Sequence, residues 1–177
     1  MVTMTTAKKP LVGVLMGSDS DLPVMEGAFE VLRKFGVPFE AAILSAHRTP
    51  EQAAQYAATA AERGLQVIIA AAGWAAHLAG VLASKTILPV IGVPVDSSPL
   101  HGMDALLSTV QMPPGIPVAT MAIGQGGARN AALFAVQILA LCHDDLTKAL
   151  KRYRADMAAE VLAKNAKVDA SVRVEGL

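Results

Sequence analysis

The sequence predicts an α/β fold in which five parallel strands alternate with helices, and three observations carry that prediction. Short apolar runs recur between segments with helical patterning. The runs are largely continuous rather than apolar at every second residue, as in strands buried on both faces. Two of them, residues 11–16 and 39–44, lead directly into polar strings with helix-start chemistry: Gly17-Ser18-Asp19-Ser20-Asp21 and Ser45-Ala46-His47-Arg48-Thr49-Pro50. In an open parallel sheet the carboxyl ends of the strands form one crevice, so loops distant in sequence can share one ligand.

Residues 11–16 read as the first strand. A first helix covers residues 22–35, with Asp21 or Ser20 as its cap, Pro23 in its first turn and Gly36 closing it. After the second strand, Thr49-Pro50-Glu51 opens a second helix that ends near Arg63-Gly64. Residues 67–71 are the third strand, followed by Gly73 and a helix through Leu82. Residues 89–93 and 116–123 supply the fourth and fifth strands. The stretch 94–115 between them is a long loop with one short helix over 103–109, and loops of that length are usually functional or an interface. Helices over 127–141 and 144–164 follow. The reading is one domain, residues 1–164, with a tail over 165–177.

At 177 residues with 53% hydrophobic but only 4% aromatic content, the core is built from Ala, Val, Leu, Ile and Met. Net charge is zero and no Lys/Arg block could trace a phosphate backbone, which argues against nucleic acid. One cysteine, Cys142, excludes an internal disulfide and a cysteine metal cluster. No run approaches the roughly 18 residues of a membrane helix and no leader pattern opens the chain. The expectation is a cytoplasmic protein without membrane partners.

In the first loop, Gly17 permits a tight turn, and Ser18, Ser20 and free amides at the helix start can hold an anion such as a phosphate. Asp19 and Asp21 repel phosphate and suit ribose hydroxyls. The plainer alternative is that Ser20 or Asp21 only caps a helix. No Gly-x-Gly-x-x-Gly and no Gly-Lys-Ser/Thr occurs, so the expected ligand carries one phosphate. In the second loop His47 can act as general acid or base, and Arg48 can pair a phosphate or carboxylate. His77, four residues after Gly73, faces the same crevice or merely packs. His101 and His143 read as surface. No spacing pairs these histidines as metal ligands, so no metal is expected.

Six strings, taken in order, resemble the PurE family of purine biosynthesis. They are Gly17-Ser18-Asp19-Ser20-Asp21, Ser45-Ala46-His47-Arg48-Thr49-Pro50, Ala75-Ala76-His77-Leu78, Gly92-Val93-Pro94-Val95, Ser108-Thr109-Val110-Gln111-Met112-Pro113 and Asn130-Ala131-Ala132-Leu133. The resemblance spans about residues 12–141 and is to the class I form, the N5-carboxyaminoimidazole ribonucleotide mutases. The class II carboxylases carry His-Lys in the second string and lack Ala-Ala-His-Leu. The resemblance implies a flavodoxin-like three-layer sandwich, a homo-octamer with active sites near subunit junctions, and no metal, ATP or biotin. It implies a small-molecule ribonucleotide substrate whose carboxylate moves from the exocyclic nitrogen to C4 of the imidazole. By the same resemblance Ser18, Asp21 and Arg48 bind the ribonucleotide, with Ser45 beside them in the second string. His47 carries the proton, and His77 and the Gly73 loop line the carboxyl pocket.

One departure stands out. Where the family usually reads Gly-Ala-Gly-Gly-Ala-Ala-His-Leu-Pro-Gly, this chain reads Ala71-Ala72-Gly73-Trp74-Ala75-Ala76-His77-Leu78-Ala79-Gly80. Trp74 takes a glycine position, where positive φ is often needed. Its indole is either an anchor at a subunit interface or an obstruction, leaving a nucleotide-binding homologue with reduced or no turnover. A flavin module is a further rival, but no aromatic residue is placed to stack on an isoalloxazine ring.

Overall fold

A computed structural model of the chain describes residues 9–172, with side chains to residue 168. Its elements are β1 (Val12–Met16), a 3-10 turn (Asp19–Asp21), α1 (Leu22–Lys34), β2 (Phe39–Ile43), α2 (Pro50–Thr59) and β3 (Val67–Ala72). They continue with α3 (Leu78–Ala83), β4 (Val90–Pro94), α4 (Met103–Val110), β5 (Ala119–Thr120), α5 (Gly124–Ala140) and α6 (Asp144–Val172). The described chain clusters into two compact units that part between Ile138 and Leu139.

The five strands are all parallel, in the order β2-β1-β3-β4-β5. This is the flavodoxin-like order, with a switch point between β1 and β3. The chain moves one way along the sheet from β1 to β2 and the other way thereafter. Right-handed crossovers therefore put α1 on one face and α2 and α3 on the other. Ala53 and Ala57 of α2 and Leu78, Ala79 and Leu82 of α3 share one buried cluster with Leu15, Ile68 and Ala70 of the sheet. On α1, Gly27 lets Arg129 and Gln125 of α5 come within about 3 Å of where a Cβ would stand. Arg129 also donates to Glu30 at 2.9 Å.

Burial explains why these runs are strands. β1 and β4 are buried at every position and β3 at all but its last, so no polar alternation is permitted there. The edge strand β2 is only partly buried and tolerates Glu40, which accepts from Tyr56 at 2.7 Å and pairs with Arg63 at 3.1 Å. Register levels the strand ends, since Met16 pairs with both Ile43 and Ala71, and Ala72 pairs with Pro94. The loops after β1, β2, β3 and β4 consequently meet at one edge.

Several boundaries differ from the sequence expectation. Asp21 occupies the N-cap position of α1, one of the two residues expected there, but the side-chain capping is done one turn earlier. Ser18 caps the 3-10 turn that precedes α1, and Asp21 makes no side-chain cap bond to the helix. α2 stops at Thr59 and gives way to turns. There Arg63 donates back to the Tyr56 carbonyl at 3.3 Å, and Gly64, at φ +98°, closes the stretch. β5 is two residues rather than eight, because Pro117 has no N–H to donate and only Ile91 and Gly92 of β4 offer partners. α3 begins only at Leu78, α5 begins at Gly124, and α6 runs past Lys164 to Val172. Residues 173–177 of the expected tail lie outside the described residues. No helix of the described residues is long and apolar enough to cross a membrane.

Candidate active site

The loop after β1 continues the ladder for one residue, with Gly17 N–H donating to the Ala71 carbonyl at 3.1 Å. Ser18 then adopts an extended conformation and starts a reciprocal cap. Its Oγ accepts from the Ser20 N–H at 3.3 Å, while its own N–H donates to Asp21 Oδ2 at 3.1 Å. Both partners of that exchange face the crevice. Asp21 is only 3% exposed. Burial pushes its carboxyl above the usual carboxylate range, against the lowering pull of the Ser18 and Gly17 N–H groups; Asp19 adds to the rise and Arg48 opposes it.

The loop after β2 is held by its own hydroxyls. Ser45 Oγ accepts from the His47 N–H at 3.3 Å and the Arg48 N–H at 3.2 Å, and Thr49 Oγ1 accepts from the Ser45 N–H at 2.8 Å. With the backbone so turned, the Arg48 guanidinium reaches across and donates to the Gly17 carbonyl at 2.9 Å. The same turn projects His47 towards the loop after β3, where His47 Nε2 lies 2.8 Å from His77 Nδ1 with the rings edge to face. One of those nitrogens carries the proton and the other accepts it.

The third loop is shaped by close approach. A Cβ on Gly73 would collide with the Ser97 hydroxyl and stand 3.3 Å from the Val95 carbonyl. Trp74 has φ +54°, the left-handed region that bulky residues adopt at a cost, and its indole is 59% exposed.

Together these loops line a cavity of about 510 Å³ that includes Ser18, Asp21, Ser45, His47, Arg48, Gly73 and His77. All seven residues singled out in the sequence therefore lie on one wall system. His101 is exposed and His143 half-buried, and neither lines the cavity. The site also includes Ser97, which sequence reasoning missed. Its only signal was its place early in the long loop after β4. Among the described residues no group of three His, Cys, Asp or Glu could hold a metal ion.

A cavity of this size at the switch point, with a serine-capped turn, a guanidinium fork braced on the Gly17 carbonyl and a proton-sharing imidazole pair, suits a phosphorylated small molecule undergoing proton-assisted chemistry. Comparison with known proteins agrees. The family model described as AIR carboxylase matches residues 11–160. The chain belongs to the AIR carboxylase family. Within that family it is 57% identical over 164 residues to the N5-carboxyaminoimidazole ribonucleotide mutase of Pyrococcus horikoshii, covering 93% of this chain and 92% of that one. It is 54% identical over 154 residues to the enzyme of the same name from Bacillus subtilis, covering 87% and 95%. The crystal structure of Treponema denticola PurE superposes with a TM-score of 0.80 at 30% identity, covering 89% of this chain and 98% of that one.

The raised pKa of Asp21 has a consequence for stability. A carboxyl whose folded value lies above its ordinary value favours the fold fully only below the ordinary value, and that contribution is lost as pH rises through the folded value. At pH 7 the buried charge therefore opposes folding. Asp21→Asn keeps an oxygen for the Ser18 N–H and removes the charge, so its Tm at pH 7 is expected to equal or exceed the parent's, with the gap narrowing as pH falls towards 4. Thermal unfolding across that range checks it. A variant less stable by the same margin at every pH would show that the hydrogen bond, not the charge, governs the site.

Proposed function

We propose that this chain is an N5-carboxyaminoimidazole ribonucleotide mutase of purine biosynthesis, an isomerase yielding 4-carboxy-5-aminoimidazole ribonucleotide. The observation that carries the reading is the His47–His77 contact at 2.8 Å in a cavity also lined by Ser18, Asp21 and Arg48. The names of its nearly full-length relatives support it.

The chemistry follows from these parts. The ribonucleotide phosphate takes the Ser18 turn and the Arg48 guanidinium, and Asp21 suits the ribose hydroxyls. His47 protonates the exocyclic nitrogen, the nitrogen–carboxyl bond breaks with its electron pair going to nitrogen, and carbon dioxide is freed. The electron-rich C4 of the ring then attacks that carbon dioxide, forming the new carbon–carbon bond. The C4 proton finally returns to His47, so one residue serves first as acid and then as base and no atom is gained or lost. His77 orients His47 and, with the Gly73 loop, bounds the space where carbon dioxide waits. Water must be kept from that space.

We also propose a cytoplasmic homo-octamer. Met103, Leu107 and Val110 of α4, with Leu100 in the turn before it, leave apolar side chains exposed, and Trp74, which lines the cavity, is exposed too, as surfaces covered by other copies are. The lone exposed thiol of Cys142 suits a reducing compartment, which cell fractionation checks.

Two outcomes are expected. His47→Asn keeps the loop's shape and lowers the mutase rate by at least about 100-fold while nucleotide binding persists; near-parental turnover would sink the assignment, and lost binding would recast His47 as a ligand contact. Light scattering is expected to return eight times the 18.3 kDa chain mass, with Trp74→Gly dissociating at higher concentrations than the parent. A monomer mass across the micromolar range would contradict the octamer.

A further inference from the structure

The string Ser108-Thr109-Val110-Gln111-Met112-Pro113 has no part in the mechanism above, yet the fold brings two of its side chains against the segment that carries His77. Ser108 lies within α4. Its hydroxyl donates back to the Asp104 carbonyl at 2.7 Å, four residues earlier, with the Ala105 carbonyl at 3.3 Å. The single hydroxyl proton is thus committed to the helix, and the oxygen offers only lone pairs outward. The N–H of Ala76 donates to it at 3.1 Å. Ala76 is 2% exposed, so water has little access to that N–H in the absence of Ser108. Further along, Met112 Sδ stands 3.0 Å from where a Cβ on Gly80 would be. His77, the residue before α3, lies between these two contacts.

The loop needs such a hold. Residues 73–77 belong to no strand or helix, contain the strained backbone of Trp74 and make one backbone bond among themselves, from the His77 N–H to the Ala75 carbonyl at 2.8 Å, with the His77 carbonyl accepting from the Val81 N–H of α3 at 3.0 Å. Ser108 and the His47 ring are the side chains of other elements that hydrogen-bond this loop among the described residues.

We propose that Ser108 is a positioning residue for carboxyl transfer: by accepting the Ala76 N–H, its hydroxyl fixes the Gly73–His77 loop so that His77 meets His47 and the cavity retains carbon dioxide. The proposal rests on the mutase reading. Ser108 does not line the cavity with the nucleotide-binding residues, so its loss affects the chemical step more than substrate binding. A loosened loop also releases carbon dioxide before C4 captures it, leaving 5-aminoimidazole ribonucleotide as a side product.

The test compares the parent with Ser108→Ala and Ser108→Thr on N5-carboxyaminoimidazole ribonucleotide, measuring kcat, KM, Tm and the fraction of substrate lost as 5-aminoimidazole ribonucleotide. Ser108→Ala is expected to lower kcat about 10- to 100-fold, as small misplacements of catalytic groups do, with KM within about twofold and a larger lost fraction. Ser108→Thr, which keeps the hydroxyl, is expected to restore both. An active parent beside a Ser108→Ala variant with parental kcat and partition overturns the proposal alone. So does a variant whose kcat, KM and Tm fall together without rescue by Thr. A parent that forms no product overturns the mutase reading and the proposal with it.

Discussion

Everything at this site depends on parallel strands that end level at a switch point. β1 lies between β2 and β3, and Met16 is in register with both Ile43 and Ala71. Three loops separated by dozens of residues leave the sheet at the same height. A shift of one residue in either pairing would move a loop along the strand by about 3.3 Å and turn its side chains over. The 2.9 Å Arg48–Gly17 contact joins the neighbouring loops after β2 and β1, and the 2.8 Å His47–His77 contact joins the loops after β2 and β3 on either side of β1, so both are products of register.

Short hydroxyl side chains then hold the loops in shape. Ser18 caps the first, Ser45 and Thr49 cross-brace the second, and Ser108 reaches the third from α4. Each such bond satisfies a backbone N–H that the sheet leaves without a partner. The large groups of the site, His47, His77 and Arg48, are exposed to the cavity and rely on that frame for aim. Burial is concentrated instead on Asp21, whose carboxyl is wrapped by the turn it helps to close.

The strands, the crevice and the convergence of seven lining residues on it were legible because each rests on a local signal: a continuous apolar run, a helix-start string, a histidine beside a guanidinium. The glycine that Trp74 replaces was correctly read as a positive-φ position, since the residue stands at φ +54°. What escaped depends on contacts distant in sequence. Nothing near Ser20 or Asp21 reveals that Ser18 would start a 3-10 turn ahead of the helix. The apolar pattern of residues 116–123 is strand-like, yet β4 offers only two partners there. Ser97 and Ser108 look like any loop or helix serine until Gly73 and Ala76 arrive beside them from β3.

The central claim is that this crevice moves a carboxylate within one substrate molecule and keeps the freed carbon dioxide from solvent. The direct measurement supplies the purified protein with N5-carboxyaminoimidazole ribonucleotide labelled with carbon-13 at its carboxylate, in buffer containing unlabelled bicarbonate, and determines the label in the product by NMR. The account predicts 4-carboxy-5-aminoimidazole ribonucleotide that retains the label. Product carrying unlabelled carboxylate, or no product, would contradict it.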